Sequence, residues 1–183
     1  GVRAALDAGA DINARDNHGQ TALLFAVQRN DLALARDLIQ RGADINAVAL
    51  NHDTPWLLAG ALGRTEMLAA MLDTGKVDYG KRNRYDGNAL IPACEHGHVD
   101  TVRLLLERSQ IDVNHINNLG WTGLLEAVIL SDGGPRHIEI VRMLLAAGAD
   151  PNIADKDGVT PLQHARDRRY DAIAALIRDA GGR

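Results

Sequence analysis

Aromatic side chains are scarce in this sequence. One Phe, two Trp and three Tyr make up 3% of 183 residues. A core must therefore be assembled from Ala, Leu, Ile, Val and Met, and side chains that small suit helices packed closely together. Cysteine is scarcer still: Cys94 stands alone and has no internal disulfide partner. A lone thiol fits a reducing compartment, which favours the cytoplasm, and it also fits a periplasmic protein that uses no bridges. No apolar run approaches the roughly 20 residues that span a bilayer, so membrane insertion is not expected. No secretion signal stands within these residues. Charge of one sign never accumulates, and the net charge is −4. A general nucleic-acid binder would show a basic face, and none is visible.

Catalytic signatures are missing as well. Ser109 and Ser131 are the only serines, and neither lies in a Gly-x-Ser-x-Gly context. There is no His-Glu-x-x-His, no cysteine pair and no two-histidine spacing along one helix face. Asp150 to Gly158 looks superficially like a calcium loop, but Ala154 and Asp155 fall where an oxygen ligand and a glycine are needed. Seven histidines are present, of which His96 and His98 flank Gly97 beside Glu95. His98 and His137 occupy one equivalent position of successive units, which points to a backbone contact across a turn rather than to a metal. Cys94 reads as a small packing residue. The expectation is a protein with no catalytic residues, no cofactor and no metal.

What the sequence does contain is a period. GQTALLFAVQRND, HDTPWLLAGALGR, DGNALIPACEHGH, GWTGLLEAVILSD and GVTPLQHARDRRY align, with Thr21, Thr54, Asn88, Thr122 and Thr160 in register at spacings of 33, 34, 34 and 38 residues. A second block, RGADINA, TGKVDYG, RSQIDVN and AGADPNI, follows each of the first four, and AGADINA precedes the first. Between the blocks the apolar spacing is helical twice over, as in Leu23, Leu24, Ala26 and Val27, then Leu34, Leu38 and Ile39. Each unit is thus a turn and two antiparallel helices. Thr offers a hydroxyl to unpaired amides at the helix start, and Pro55 and Pro161 follow it at the position that needs no amide. Gly42, Gly75 and Gly148 supply the left-handed residue that stops the second helix. The Asp-x-Asn pairs 44/46, 112/114 and 150/152 suit the tight turn that follows.

On these motifs the chain resembles the ankyrin repeat family. TALL, TPWL, NALI, TGLL and TPLQ stand for the family's TPLH, and GADIN, VDYG, IDVN and GADPN for its GADVN. Stretches such as WTGLLEAVILSDGGP also look like small bacterial members. The resemblance covers nearly the whole chain. It implies an all-α repeat solenoid with protruding turns, here called fingers, and first helices lining a concave face. It also implies that the chain binds a partner protein and is not an enzyme. The expected layout is one domain over residues 1–183. A partial repeat spans 1–15, repeats span 16–48, 49–82, 83–116 and 117–154, and a capping repeat spans 155–183 with Asp171, Arg178 and Asp179 on a polar outer helix. Residues 1–6 align inside a second helix, so further sequence is expected upstream. A monomer is expected.

Positions that do not serve packing repeat as a surface. The fingers and the ends of the first helices place Leu50, Leu62, Arg84, Tyr85, His96, Leu119, Trp121, Glu126, Ile129 and Leu130 there. Exposed aromatic and apolar groups within a polar rim are the usual anatomy of an interface. Tyr85 and Trp121 are expected on the open surface, the alternative being that neighbouring fingers cover them and Trp121 packs on the next repeat; Trp56, in place of the motif leucine, is expected in the core. Glu126 has two readings, a hydrogen bond to a neighbouring finger's backbone or a ligand contact. The alternative functions are a small-molecule or anion site near Glu126, His96 and Arg84, and a structural module of a longer chain.

One stretch breaks the period. Thr122 to Gly148 spans 26 residues where Thr21 to Gly42 spans 21. The five extra residues fall in AVILSDGGPRHIEIV, where Ile129 and Leu130 are expected to extend the first helix and Pro135 to begin the second. A glycine-rich turn before a helix can hold an anion, but no strand precedes it and no Gly-Lys-Ser/Thr follows.

Overall fold

A computed structural model describes residues 1–183. It contains eleven α-helices: α1 (Val2–Asp7), α2 (Ala22–Arg29), α3 (Leu32–Gln40), α4 (Pro55–Ala61), α5 (Thr65–Asp73), α6 (Leu90–Glu95), α7 (Val99–Arg108), α8 (Gly123–Ile129), α9 (Pro135–Ala146), α10 (Pro161–Asp167) and α11 (Asp171–Asp179). No strand is present. The helices fall into two compact units, residues 1–84 and residues 85–183.

The local signals act as their chemistry dictates. The hydroxyls of Thr21, Thr54, Thr122 and Thr160 accept hydrogen bonds from the amides of Leu24, Leu57, Leu125 and Gln163. Asn88 does the same work with its side-chain oxygen, accepting from Leu90 and Ile91 at 3.1 and 3.2 Å. Gly42, Gly75, Gly148 and Gly181 end α3, α5, α9 and α11 at positive φ. Ser109 holds the corresponding place after α7 in an extended conformation, with its hydroxyl donating to the Leu105 carbonyl at 2.6 Å.

In the first unit α2 packs on α4 and α3 on α5, while each first helix also packs on its own second helix. The second unit repeats this scheme, with α6, α8 and α10 in one layer and α7, α9 and α11 in the other. Small residues allow the close approach within a layer. Ala26, Ala59, Ala93, Ala127 and Ala165 occupy one column of the repeats and are all buried. Around them Leu23, Leu24, Leu68, Leu90, Leu124 and Leu125 fill the space. Trp56 lies in this core as expected, edge-on to Tyr79 with ring centroids 6.0 Å apart. Cys94 is buried against Gly123, and burial pushes its thiol far above the ordinary range, which suits a packing role.

The Asp-x-Asn pairs divide their labour. Asp44, Asp112 and Asp150 each accept from the amide two residues on, closing their own turn. The asparagines reach into the following turn instead. In the first unit Asn13 accepts from Asp44, and Asn46 accepts from Asp78 and donates to Lys76. In the second, Asn114 accepts from Asp150 at 2.7 Å and donates to Gly148, and Asn152 bonds Arg183 and Gly181 in the same way. The turns that begin at Asp44, Asp78 and Asp150, and the chain at Arg183, are thus each met by the asparagine of the turn before, whereas Gly80 leaves the Asp112 turn without such a link.

A second link recurs at the start of three of the second helices, α5, α9 and α11. Arg64 donates to the carbonyls of Val27 and Gln28, His137 lies 2.8 Å from the Glu95 carbonyl, and Tyr170 donates to the Ser131 carbonyl at 2.6 Å. Three different side chains meet the same kind of acceptor, the carbonyls where the preceding first helix ends.

The insertion in the fourth repeat is split between loop and helix. Helix α8 ends at Ile129, so Leu130 does not extend it as expected; the Leu130 amide closes the helix on the Glu126 carbonyl. The loop runs over residues 130–134, and α9 has 12 residues where α3, α5 and α11 have nine. Pro135 starts α9 as expected, adding one turn ahead of His137. Gly133 has φ 68°, and a Cβ there would lie 2.4 Å from the Tyr170 ring, so the loop is held by the last repeat.

Candidate partner-binding surface

Three fingers are built by one carboxylate or amide at the base. Asp16 accepts from the amides of His18 and Gln20, and its carboxyl is held below the usual range chiefly by the bond from Gln20. Asn117 accepts from Leu119 and Trp121, both at 3.0 Å. Asp155 accepts from Asp157 and Val159, and the Val159 amide is the main cause of its lowered pKa. The turn needs a left-handed residue two places before the Thr. Gly19, Gly120 and Gly158 supply it, whereas His52 and Asp86 adopt φ of 69° and 54° at the same place. Adjacent fingers are joined through backbone, Leu50 amide to His18 carbonyl at 2.9 Å in the first unit and Asn118 amide to Tyr85 carbonyl at 2.8 Å in the second. His115 adds a ring contact of 2.6 Å to the Asp86 carbonyl.

In the first unit this geometry leaves Leu50 74% exposed at a finger tip and Leu62 at the end of α4 also exposed. Arg84 is exposed, and its charge acts on Asp53, whose carboxyl is nevertheless raised because burial outweighs that attraction. Phe25, in the middle of α2, is exposed too. Its position was legible, since it stands in the column of Leu58, Pro92, Glu126 and His164.

In the second unit Tyr85, Leu119 and Leu130 are each more than 40% exposed, and His96 is exposed at the end of α6. Ile116, beneath the same finger, is a further exposed apolar residue that the periodicity did not single out. Trp121 and Ile129 are only part-exposed. Trp121 is less open than the placement expected for it, and the next finger reaches the residues just before it. The Lys156 stem lies over Gly120, and its ammonium donates to the Asn118 carbonyl at 2.6 Å.

Glu126 is not an open contact at all. It is 4% exposed, and its carboxylate accepts from Asn117 Nδ2 at 3.0 Å. The bond is to a side chain of its own finger, not to the backbone of the next one. Burial, reinforced by the neighbouring charge of Glu95, pushes its carboxyl up to about 7, against the lowering effect of Asn117. His96 Nε2 lies 3.9 Å from Glu95, and the His96 and His98 rings are tilted with centroids 5.8 Å apart. No three His, Cys, Asp or Glu side chains converge in a group that could hold a metal.

The glycine-rich turn also has an answer. Asp132 accepts from the Gly134 amide at 2.9 Å and lies 3.5 Å from His137 Nδ1, and the Gly134 bond is the main cause of its depressed pKa. The start of α9 thus already holds an anion, the chain's own carboxylate. Cavities of about 240 and 330 Å³ occur in the first unit, lined around Asn46 and Arg64, and neither includes a residue of the candidate surface. No helix is long and apolar enough to cross a membrane.

Residues 56–155 match the family described as ankyrin repeats (3 copies), and residues 1–39 and 135–177 match ankyrin repeats (many copies). The chain is 41% identical over 180 residues to the ankyrin repeat protein YahD of Escherichia coli (strain K12), covering 98% of this chain and 89% of that protein. The crystal structure of an ankyrin repeat domain from Acinetobacter baumannii AYE superposes with a TM-score of 0.94 at 49% identity, covering 100% of this chain and 92% of that one. The structure of a second ankyrin repeat protein, EF0377, gives a TM-score of 0.92 at 43% identity, with 97% and 89% covered.

Proposed function

From the premise that the chain belongs to the ankyrin repeat family, whose repeats generally serve as protein interaction modules, we propose that it binds a partner protein through its fingers and first-helix ends, without catalysis. The observation that carries this reading is the exposure of Tyr85, Leu119 and Leu130 at positions the repeat does not need for packing. Their fingers are fixed by Asn117 and by the Asn118–Tyr85 backbone bond, so little ordering entropy is lost on binding. Trp121 and Ile129 flank this set, and His96 forms part of its polar rim. Leu50, Leu62 and Arg84 are the corresponding candidates of the first unit. Glu126 lies recessed below the surface rather than on it.

Recognition on such a scaffold depends on shape and side-chain chemistry. Interfaces of this kind usually bury about 1,200–2,000 Å² in total. Affinity capture from the source organism followed by mass spectrometry, with wild type and a Tyr85→Ala/Trp121→Ala variant side by side, tests the assignment. The variant is expected to lose a partner that the wild type retains. Equal retention of the same partner by both would place binding elsewhere.

A further inference from the structure

His137 uses one side of its ring and leaves the other empty. Nε2 lies 2.8 Å from the Glu95 carbonyl, an oxygen that only accepts, so Nε2 carries the hydrogen of the neutral ring. Nδ1 is then a bare lone pair. The side chain is 6% exposed, and Nδ1 is buried without a hydrogen-bond partner. The atom facing it is Oδ1 of Asp132, 3.5 Å away in the inserted loop. Two acceptors thus face each other across a gap that one proton would bridge. In other repeats Arg64 and Tyr170 take the place of His137 and donate to the same kind of carbonyl. Arginine and tyrosine do not titrate near neutrality, whereas histidine ordinarily does, between about pH 5 and 8.

We propose that the inserted loop carries a proton-operated clasp: a proton taken up at His137 Nδ1 draws the Asp132 carboxylate into a charge-assisted hydrogen bond and fastens the loop to the start of α9. Asp132 is suited to this. Its side chain is 77% exposed, so it is free to close the remaining distance. The Gly134 amide holds its carboxyl below the usual range, so it is charged when the ring takes its proton. Arg136, next to His137, lies against Gly97; its charge favours the Asp132 carboxylate and opposes the proton. On α6 the Glu95 carboxylate lies 3.9 Å from His96 Nε2, and on α7 Asp100 pairs with Arg103 at 2.9 Å. On α11 Asp171 is exposed, and the Tyr170 hydroxyl is already given to Ser131. On α8 Glu126 is bonded to Asn117 but titrates in the same range, at about 7, so it must be controlled for. Leu130 opens the loop and belongs to the surface proposed above, so the clasp sets how firmly that surface is presented. That consequence rests on the protein-binding reading; the clasp does not.

The test uses the full chain alone, without a partner, so its outcome is independent of what the surface binds. Nitrogen-15 shifts of the histidine rings report tautomer and charge, with His137 assigned by its absence in His137→Gln. Hydrogen exchange of the Gly133 and Gly134 amides, corrected for the pH dependence of intrinsic exchange, reports the loop. Near pH 8 the ring should carry its hydrogen on Nε2. Near pH 5.5 it should be protonated at both nitrogens, with the protection of the two amides raised about two- to fivefold, as for a partly exposed ion pair. Asp132→Asn, a change at an exposed side chain, should abolish the rise, because Asn keeps an oxygen for the Gly134 amide and offers Nδ1 a donor at every pH. Glu126→Gln should keep it. A hydrogen on Nδ1 near pH 8, unchanged protection in wild type, or an equal rise in Asp132→Asn would each overturn the clasp. Loss of the rise in Glu126→Gln would assign it to Glu126 and overturn the clasp as well.

Discussion

Replacing Glu126 with Gln should make the protein more stable at neutral and alkaline pH. The side chain is 4% exposed, and its carboxyl is raised from 4.5 to about 7. In the unfolded chain the group loses its proton near its ordinary value, while the folded protein holds the proton until about pH 7. Between those limits the folded state binds more protons, so stability falls as pH rises. The contribution is fully present below about pH 4.5 and gone above about pH 7. At roughly 1.4 kcal/mol per unit, the shift corresponds to about 3 kcal/mol. Gln keeps an oxygen for Asn117 Nδ2 and removes the repulsion from Glu95. The measurement is urea denaturation of wild type and Glu126→Gln at pH 5 and pH 8. Histidines and surface carboxylates titrate in both proteins, so their effects cancel in the difference. The variant should gain about 3 kcal/mol on wild type between the two pH values, equivalent to roughly 6–12 °C in Tm. Parallel stability curves would refute the claim that this buried carboxyl is raised.

Three further outcomes follow from the geometry. Gly133→Ala should cost about 2–3 kcal/mol in urea denaturation, because it places a Cβ at positive φ and against the Tyr170 ring; a loss no larger than that of Tyr170→Phe would contradict it. Arg169 is exposed and has φ 59° where other repeats carry Gly63 and Gly97, so Arg169→Gly should raise stability by about 0.5–1 kcal/mol, visible as a higher Tm. Asn114→Ala removes the bonds to Asp150 and Gly148 and should cost about 1–2 kcal/mol, whereas an unchanged denaturation midpoint would show that these bonds are replaced by water without loss.

What could be read from the residues alone was whatever is local or periodic. Thr54-Pro55, Gly42 and the apolar stripes each act over a few residues, and a fixed spacing multiplies their weight. That is why helices, turns and the burial of Trp56 and Cys94 were all visible. The links between repeats were harder, because their partners lie some 30 to 40 residues apart and their donors vary. Arg64, His137 and Tyr170 share a place in the repeat and a kind of acceptor but nothing in side-chain type. Asp44 and Asn46 looked like one turn motif, and only three-dimensional proximity separates the residue that closes its own turn from the one that reaches onward. The candidate surface shows the same limit. Leu50, Leu62, Tyr85 and Leu119 are exposed as their free positions suggested, whereas Trp121 is only part-exposed. For Glu126 the partner was closer than anticipated, nine residues away in the same finger.

The hold of Tyr170 on the fourth loop couples two events. Repeat arrays open locally, unit by unit. When the repeat that carries Tyr170 opens, Tyr170 leaves Ser131 and Gly133, and the loop that follows Leu130 loses its anchor. Tyr170 is thus the latch of the inserted loop. Opening of its repeat would be felt first at Leu130, in the neighbouring repeat, as a local loss of protection against hydrogen exchange before the helices of the fourth repeat themselves give way.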